Sequence, residues 1–318
     1  MSDLHKRGIH NTAFLSELKS GSLKPLVDLI KSNDDLVLQI RDNYFNVYYK
    51  GGNVAKVTSP KSVEFDENYF RAHSEKSDED WDDIKNKRQD AIDLFKKGLF
   101  GKYIDTVKSA METYWHDILK DKGVAEKMAQ HQICILNNFQ ADYTVIDLEY
   151  QVSTESECKY RGNRRTKKGN LPSPRFDIVA IRNSGHRLCI IELKKGTKAL
   201  KDPSGVQEHA ESFANTIGYN KKTKLAFVDE MNNVLLQKRD YLDLLDKGIT
   251  IDMSLEPEFM FAYQFDSTDK SHPTLDSQKK VFKYYQNKNY VDGVNYAYDK
   301  SVLWLNEGDY TLKEKGEK

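Results

Sequence analysis

Three residues of this chain have the types and spacing for hydrolytic chemistry: Asp177, Glu192 and Lys194. They lie in PRFDIVAIRNSGHRLCIIELKKG, residues 174–196, where two apolar runs flank the turn signal Asn183-Ser184-Gly185. That pattern predicts a β-hairpin. With Ser184 and Gly185 as the loop, Asn183 opposes His186, and the same register sets Asp177 opposite Glu192. Side chains alternate along a strand, so Leu188, Ile190, Glu192 and Lys194 share one face, and Asp177 stands on it too. Two carboxylates whose Cβ atoms are roughly 5 Å apart repel each other. A divalent cation between the oxygens removes that cost, and hard oxygen ligands suit Mg²⁺ or Mn²⁺. The ammonium of Lys194, one step further on the same face, can hold or help deprotonate a metal-bound water.

The plainer alternative makes Asp177 and Glu192 solvated residues near strand ends, and Lys194-Lys195 a surface charge pair. Against it, Glu192 interrupts a run of five apolar residues (Leu188, Cys189, Ile190, Ile191 and Leu193), where a charge needs a reason.

The elements that must position these residues can be read from both sides of the hairpin. Upstream, residues 24–31 form a helix, and residues 36–59 form a meander of three short strands. Tyr44, Phe45, Tyr48 and Tyr49 of that meander read as sheet packing rather than a base-stacking platform. Residues 73–93 are strongly acidic and read as a solvated loop or helix entry. Apolar residues at three- and four-residue steps then mark a helical face from Ile92 to Ile118, divided at Gly98 and Gly101. A further helix covers 124–138 and a strand covers 144–153.

Downstream of the hairpin, Asp202 or Ser204 caps a helix. In that helix Gln207, three residues after Ser204, reads as a capping-box residue. The stretch KLAFV, residues 224–228, reads as the next buried strand. A helix over 235–245 and a strand over 258–265 follow.

Composition narrows the function classes. Lys and Arg total 49, equal to Asp and Glu, so no global basic field advertises a nucleic-acid partner and any such contact must be local. One segment supplies it. Lys159, Arg161, Arg164, Arg165, Lys167 and Lys168 put six positive charges within ten residues, next to the hairpin in sequence. A phosphate backbone is the natural partner of such a loop, the alternative being a mobile solvated loop. No apolar run approaches membrane-spanning length and no secretion signal is visible, so a cytoplasmic protein with no membrane partner is expected. The three cysteines, Cys134, Cys158 and Cys189, are widely spaced and suit reduced thiols, with Cys189 acting as a small core residue.

The stretch resembles the PD-(D/E)xK nuclease superfamily, on Pro174 and Asp177 followed, after a gap of fourteen residues, by Glu192-Leu193-Lys194. The family has Pro-Asp adjacent, whereas Arg175 and Phe176 intervene here. The resemblance covers about residues 120–230. It implies an α/β fold, a restriction-endonuclease-like αβββαβ core with a mixed central sheet, joined to an N-terminal α+β region. Three regions follow from it: an N-terminal meander and helical region (1–120), the nuclease-like core (121–232) and a C-terminal extension packed on that core (233–318). It further implies that Asp177, Glu192 and the Leu193 carbonyl hold the metal. A first-helix Glu reaches the metal in many members, which nominates Glu126, with Glu149 as its rival. Either could equally be an ordinary surface residue.

The expected function is a Mg²⁺- or Mn²⁺-dependent nuclease hydrolysing phosphodiester bonds, with DNA as the substrate the resemblance favours and restriction or phage defence as the context it suggests. A homodimer would provide two sites for the two strands of a duplex. Two alternatives stand beside this reading. One is a non-catalytic module binding nucleic acid or protein on the same fold; the other is a metal-dependent hydrolase of nucleotides.

Overall fold

The computed structural model describes residues 7–71, 78–119, 124–152, 174–201, 205–288 and 302–314. Two compact units divide the chain. The first holds residues 7–135 and 236–244; the second holds 136–235 and 245–318, with 1–6. The division thus falls at 135/136 rather than at 120, and residues 245–318 group with the hairpin.

In the first unit, helices α1 (Thr12–Lys19) and α2 (Lys24–Lys31) precede strands β1 (Leu36–Ile40), β2 (Phe45–Tyr49), β3 (Gly52–Ser59) and β4 (Ser62–Glu64). The strands form an antiparallel meander in the order β1-β2-β3-β4, one strand more than expected. Asp78–Lys96 (α3) and Phe100–Thr113 (α4) are separated at Gly98, whose φ of +74° a side chain would resist. The helical face read from the sequence is core: Phe95, Tyr103, Val107 and Met111 are fully buried. Phe45, Tyr48 and Tyr49 are also buried, in keeping with sheet packing. The unit ends in α5 (Ala125–Leu136).

The second unit is an α/β layer built on a mixed sheet. Its strands are β5 (Tyr143–Gln151), β6 (Arg175–Arg182), β7 (Arg187–Lys195), β8 (Glu258–Gln264) and β9 (Val302–Leu305), in that spatial order. Strands β5, β6 and β7 are antiparallel neighbours, while β7–β8 and β8–β9 are parallel. Strand β7 therefore lies mid-sheet, and its residues from Leu188 to Lys194 are all buried. Burial on both faces explains why it reads as an apolar run rather than an alternating one. Among the described residues, the α-helices of this unit are α6 (Val206–Phe213), α7 (Lys221–Leu236) and α8 (Leu275–Lys288).

Three expectations require correction here. Residues 224–228 are helical, inside α7, not a strand. Phe227, Val228, Met231, Val234 and Leu235 are buried at helical steps, and Asn220 Oδ1 accepts the Thr223 N–H at 3.0 Å as an opening cap. A four-residue apolar run does not by itself separate a strand from a buried helix segment. The strand that follows β7 in the sheet is β8, residues read as strand-like but not placed beside the hairpin. The expected order, helix to strand within 232, is replaced by two helices before β8, and α5 groups with the first unit rather than with the sheet. Finally, α6 opens at Gly205 without a side-chain cap and Gln207 Nε2 donates to Glu211 Oε1 at 2.6 Å, while Asp202 and Ser204 lie outside the described residues.

Candidate functional site

The hairpin forms in the register the sequence predicts. Arg182 pairs with Arg187, and the ladder runs to Ile178 opposite Ile191, which makes Asp177 and Glu192 the next positions along it. The loop is four residues long, Asn183 to His186, because His186 takes a left-handed φ of +54° and the outermost expected pair does not form. Losing one pair symmetrically shortens the strands without shifting them, so every side chain keeps its face.

Beyond Ile178 the ladder between β6 and β7 gives way to a side-chain contact. The Leu193 N–H donates to Asp177 Oδ2 at 2.8 Å. A half-buried aspartate so replaces a backbone acceptor and anchors its carboxylate at the end of β6.

Glu192 projects from the centre of β7 and is 1% exposed. Lys194 Nζ, also buried, donates to Glu192 Oε1 at 2.9 Å. A third side chain reaches the same oxygen from α6: His209 Nδ1 lies 2.9 Å from Oε1. Facing a carboxylate, that ring nitrogen must donate. Oε1 thus receives two donors while Oε2, equally buried, has no hydrogen-bond partner among the described residues. Burial pushes the Glu192 carboxyl up, but the charges and hydrogen bonds of Lys194 and His209 outweigh it and hold the group down at about 2, well below the carboxylate range. Glu192 is an ionised acid deep in the fold.

The flanking strand carries Glu149. Leu148 pairs with Ile178 and Tyr150 with Phe176, so Glu149 falls between them, level with Asp177. It sits at φ +50°, an uncommon conformation for a residue with a side chain, and its Oε1 lies 3.7 Å from Arg175 Nη1. Glu126, its rival for a metal-ligand role, is exposed in the first turn of α5 and belongs to the first unit. The structure joins Asp177 to the Leu193 backbone and Lys194 to Glu192, with Asp177 and Glu192 at successive positions past the Ile178–Ile191 pair. The basic residues Lys159, Arg161, Arg164, Arg165, Lys167 and Lys168 lie outside the described residues.

His209 is the site residue that the sequence alone did not single out. Its signal was present: it stands three residues after Val206 and one before Ala210, both buried, on the inward side of an amphipathic helix. Searching that side for a partner to a buried acid leads to it.

Among the described residues, no group of three or more His, Cys, Asp and Glu side chains forms a ready metal cage. A Mg²⁺-type ion keeps several waters and binds through one or two carboxylates together with substrate phosphates. The buried Oε2 of Glu192 is the kind of acceptor such an ion satisfies, so the residues fit it. Neither protein-family models nor curated proteins nor solved structures gave a match to this chain. Among the described residues no helix is long and apolar enough to cross a membrane.

Proposed function

We propose that this chain is a metal-dependent nuclease that hydrolyses phosphodiester bonds, with DNA as its substrate. The observation that carries the reading is Glu192. An ionised carboxylate is held at the centre of a sheet with one oxygen doubly hydrogen-bonded and the other without a hydrogen bond. Burial of that kind is costly unless the group has work to do. Asp177, next to it across the hairpin, supplies a second hard oxygen ligand.

In this reading Asp177 and Glu192 hold Mg²⁺ or Mn²⁺, with the Leu193 carbonyl completing the protein's share. The ion supplies charge stabilisation at the phosphate and a more acidic water. Lys194 keeps Glu192 ionised and orients the attacking water through the donors of its ammonium. The basic segment at 159–168 contacts the phosphate backbone and contributes affinity rather than sequence choice. A defence or restriction role belongs to the same proposal, as does a dimer acting on both strands.

The second reading, a non-catalytic binding module, draws on the direct Lys194–Glu192 ion pair and on the lack of a three-ligand group among the described residues. A cleavage assay separates the two. The substrates are supercoiled plasmid, linear duplex, single-stranded DNA and RNA, each with Mg²⁺ and with Mn²⁺. Nicking or digestion that disappears in Asp177→Ala and in Lys194→Ala establishes the nuclease and its substrate. Full activity in Asp177→Ala refutes the site, and silence on every substrate favours the module.

A further inference from the structure

The contact between α6 and Glu192 points to a role for His209 that deepens the nuclease reading and rests on it. We propose that His209 is a positioning residue: its Nδ1–H fixes Oε1 of Glu192 and thereby presents Oε2 to the divalent cation.

The terminal torsion of a glutamate is broad and roughly two-fold, so its oxygens exchange places unless something distinguishes them. Lys194 is a weak distinguishing group. It stands two residues from Glu192 on the same strand, and its ammonium is a point charge whose donors impose no fixed direction of approach. His209 differs in both respects. It comes from a separate element, α6, and its donor sits on a planar ring carried close to the backbone. That helix is itself seated by Val206, Ala210 and Phe213, all buried, so the ring approaches from a fixed direction.

The outcome is visible in the asymmetry of the carboxylate. Both donors converge on Oε1 at 2.9 Å, and Oε2 is left buried without a hydrogen bond. An arrangement that served only to bury an ion pair would spread its donors over both oxygens, because a buried acceptor without a partner is destabilising. Donors that orient a metal-binding side chain commonly contribute to metal affinity in this way.

The test is a Mn²⁺ titration of the full chain at fixed pH, following free Mn²⁺ by electron paramagnetic resonance, with thermal melting as a check on folding. Three proteins are compared: wild type, His209→Leu and His209→Asn. The Asn amide nitrogen occupies about the place of Nδ1 and keeps the donor; Leu keeps bulk and loses it. The proposal expects Mn²⁺ affinity to fall about 10–100-fold in His209→Leu, and to recover to within a few-fold of wild type in His209→Asn. Should His209→Leu fail to fold, His209→Gln takes its place, since its amide lies beyond the Nδ1 position.

Wild-type binding matched by an equally strong His209→Leu overturns the positioning role while leaving the metal site standing. A weakened His209→Asn no better than His209→Leu also overturns it, because the donor would then not be the cause. Absence of Mn²⁺ binding in the wild type overturns the metal reading itself, and the positioning role with it.

Discussion

Lys194→Met removes the positive charge from Glu192 while keeping a chain of similar length, and the structure gives both the size and the pH signature of the loss. Lys194 is 5% exposed and Glu192 is 1% exposed, so water cannot replace the ammonium without opening the sheet. Removing one partner of a buried pair costs about 3–5 kcal/mol, because the remaining charge is left uncompensated. For a unit of this size that is a fall in Tm of roughly 6–20 °C. In the wild type the Glu192 carboxyl is held at about 2, against an ordinary value of 4.5. Its stabilising contribution is therefore complete above 4.5 and is lost only as pH falls through that value towards 2.

The variant reverses the sign. With Lys194 gone, only His209 still opposes burial and the carboxyl rises above its wild-type value, so the penalty is full near pH 8 and shrinks as the pH drops through the raised value. Melting curves of both proteins at about pH 8 and about pH 5 read this directly. The gap in Tm should narrow at the lower pH, and adding Glu192→Gln to Lys194→Met should recover much of the loss. A fall in Tm of less than about 2 °C, or a gap equal at both pH values, refutes the reasoning that Glu192 is buried as an ion.

Other outcomes follow from the same geometry. Gly196, just past β7, holds φ +66° and ψ 172°, and a Cβ there would lie 3.0 Å from the Asp266 Cβ. Gly196→Ala should cost about 1–3 kcal/mol, seen as a lower Tm, and an unchanged Tm would contradict the strain. In the first unit, the buried Tyr103 hydroxyl donates to the Val54 carbonyl at 2.7 Å. Tyr103→Phe strands that carbonyl and should cost about 1–3 kcal/mol by thermal melting; a neutral substitution would show that water reaches it. Burial pushes the Cys189 thiol up to about 12. Mass spectrometry after maleimide treatment near pH 8 should find Cys189 unmodified in the folded protein and modified in denaturant. Rapid labelling of the folded chain would place it at the surface.

The central hairpin was legible because two local signals agree: apolar runs of strand length and a turn sequence between them. Even the wrong loop length left Asp177 and Glu192 adjacent, since the pair that failed to form was removed equally from both strands. Helix α2 was readable to its ends for a similar reason, with Pro25 in its first turn and a clear apolar face. The stretch KLAFV failed because four apolar residues carry no period, and the burial that decides the matter comes from residues as distant as Leu235. The partnership of β7 with β8 was out of reach for another reason. A parallel neighbour is joined through intervening helices, so no turn marks it in the sequence. His209 was missed because its contact with Glu192 depends on where α6 packs, which local spacing does not state.

The measurement that bears most directly on the account is a crystal structure of the full chain grown with Mn²⁺, with data collected to locate the ion by its anomalous scattering. The account predicts a peak bridging Asp177 and Glu192, in contact with Glu192 Oε2, while Lys194 and His209 remain on Oε1. A saturated crystal with no peak there, or with Oε2 turned away from the ion, would contradict it.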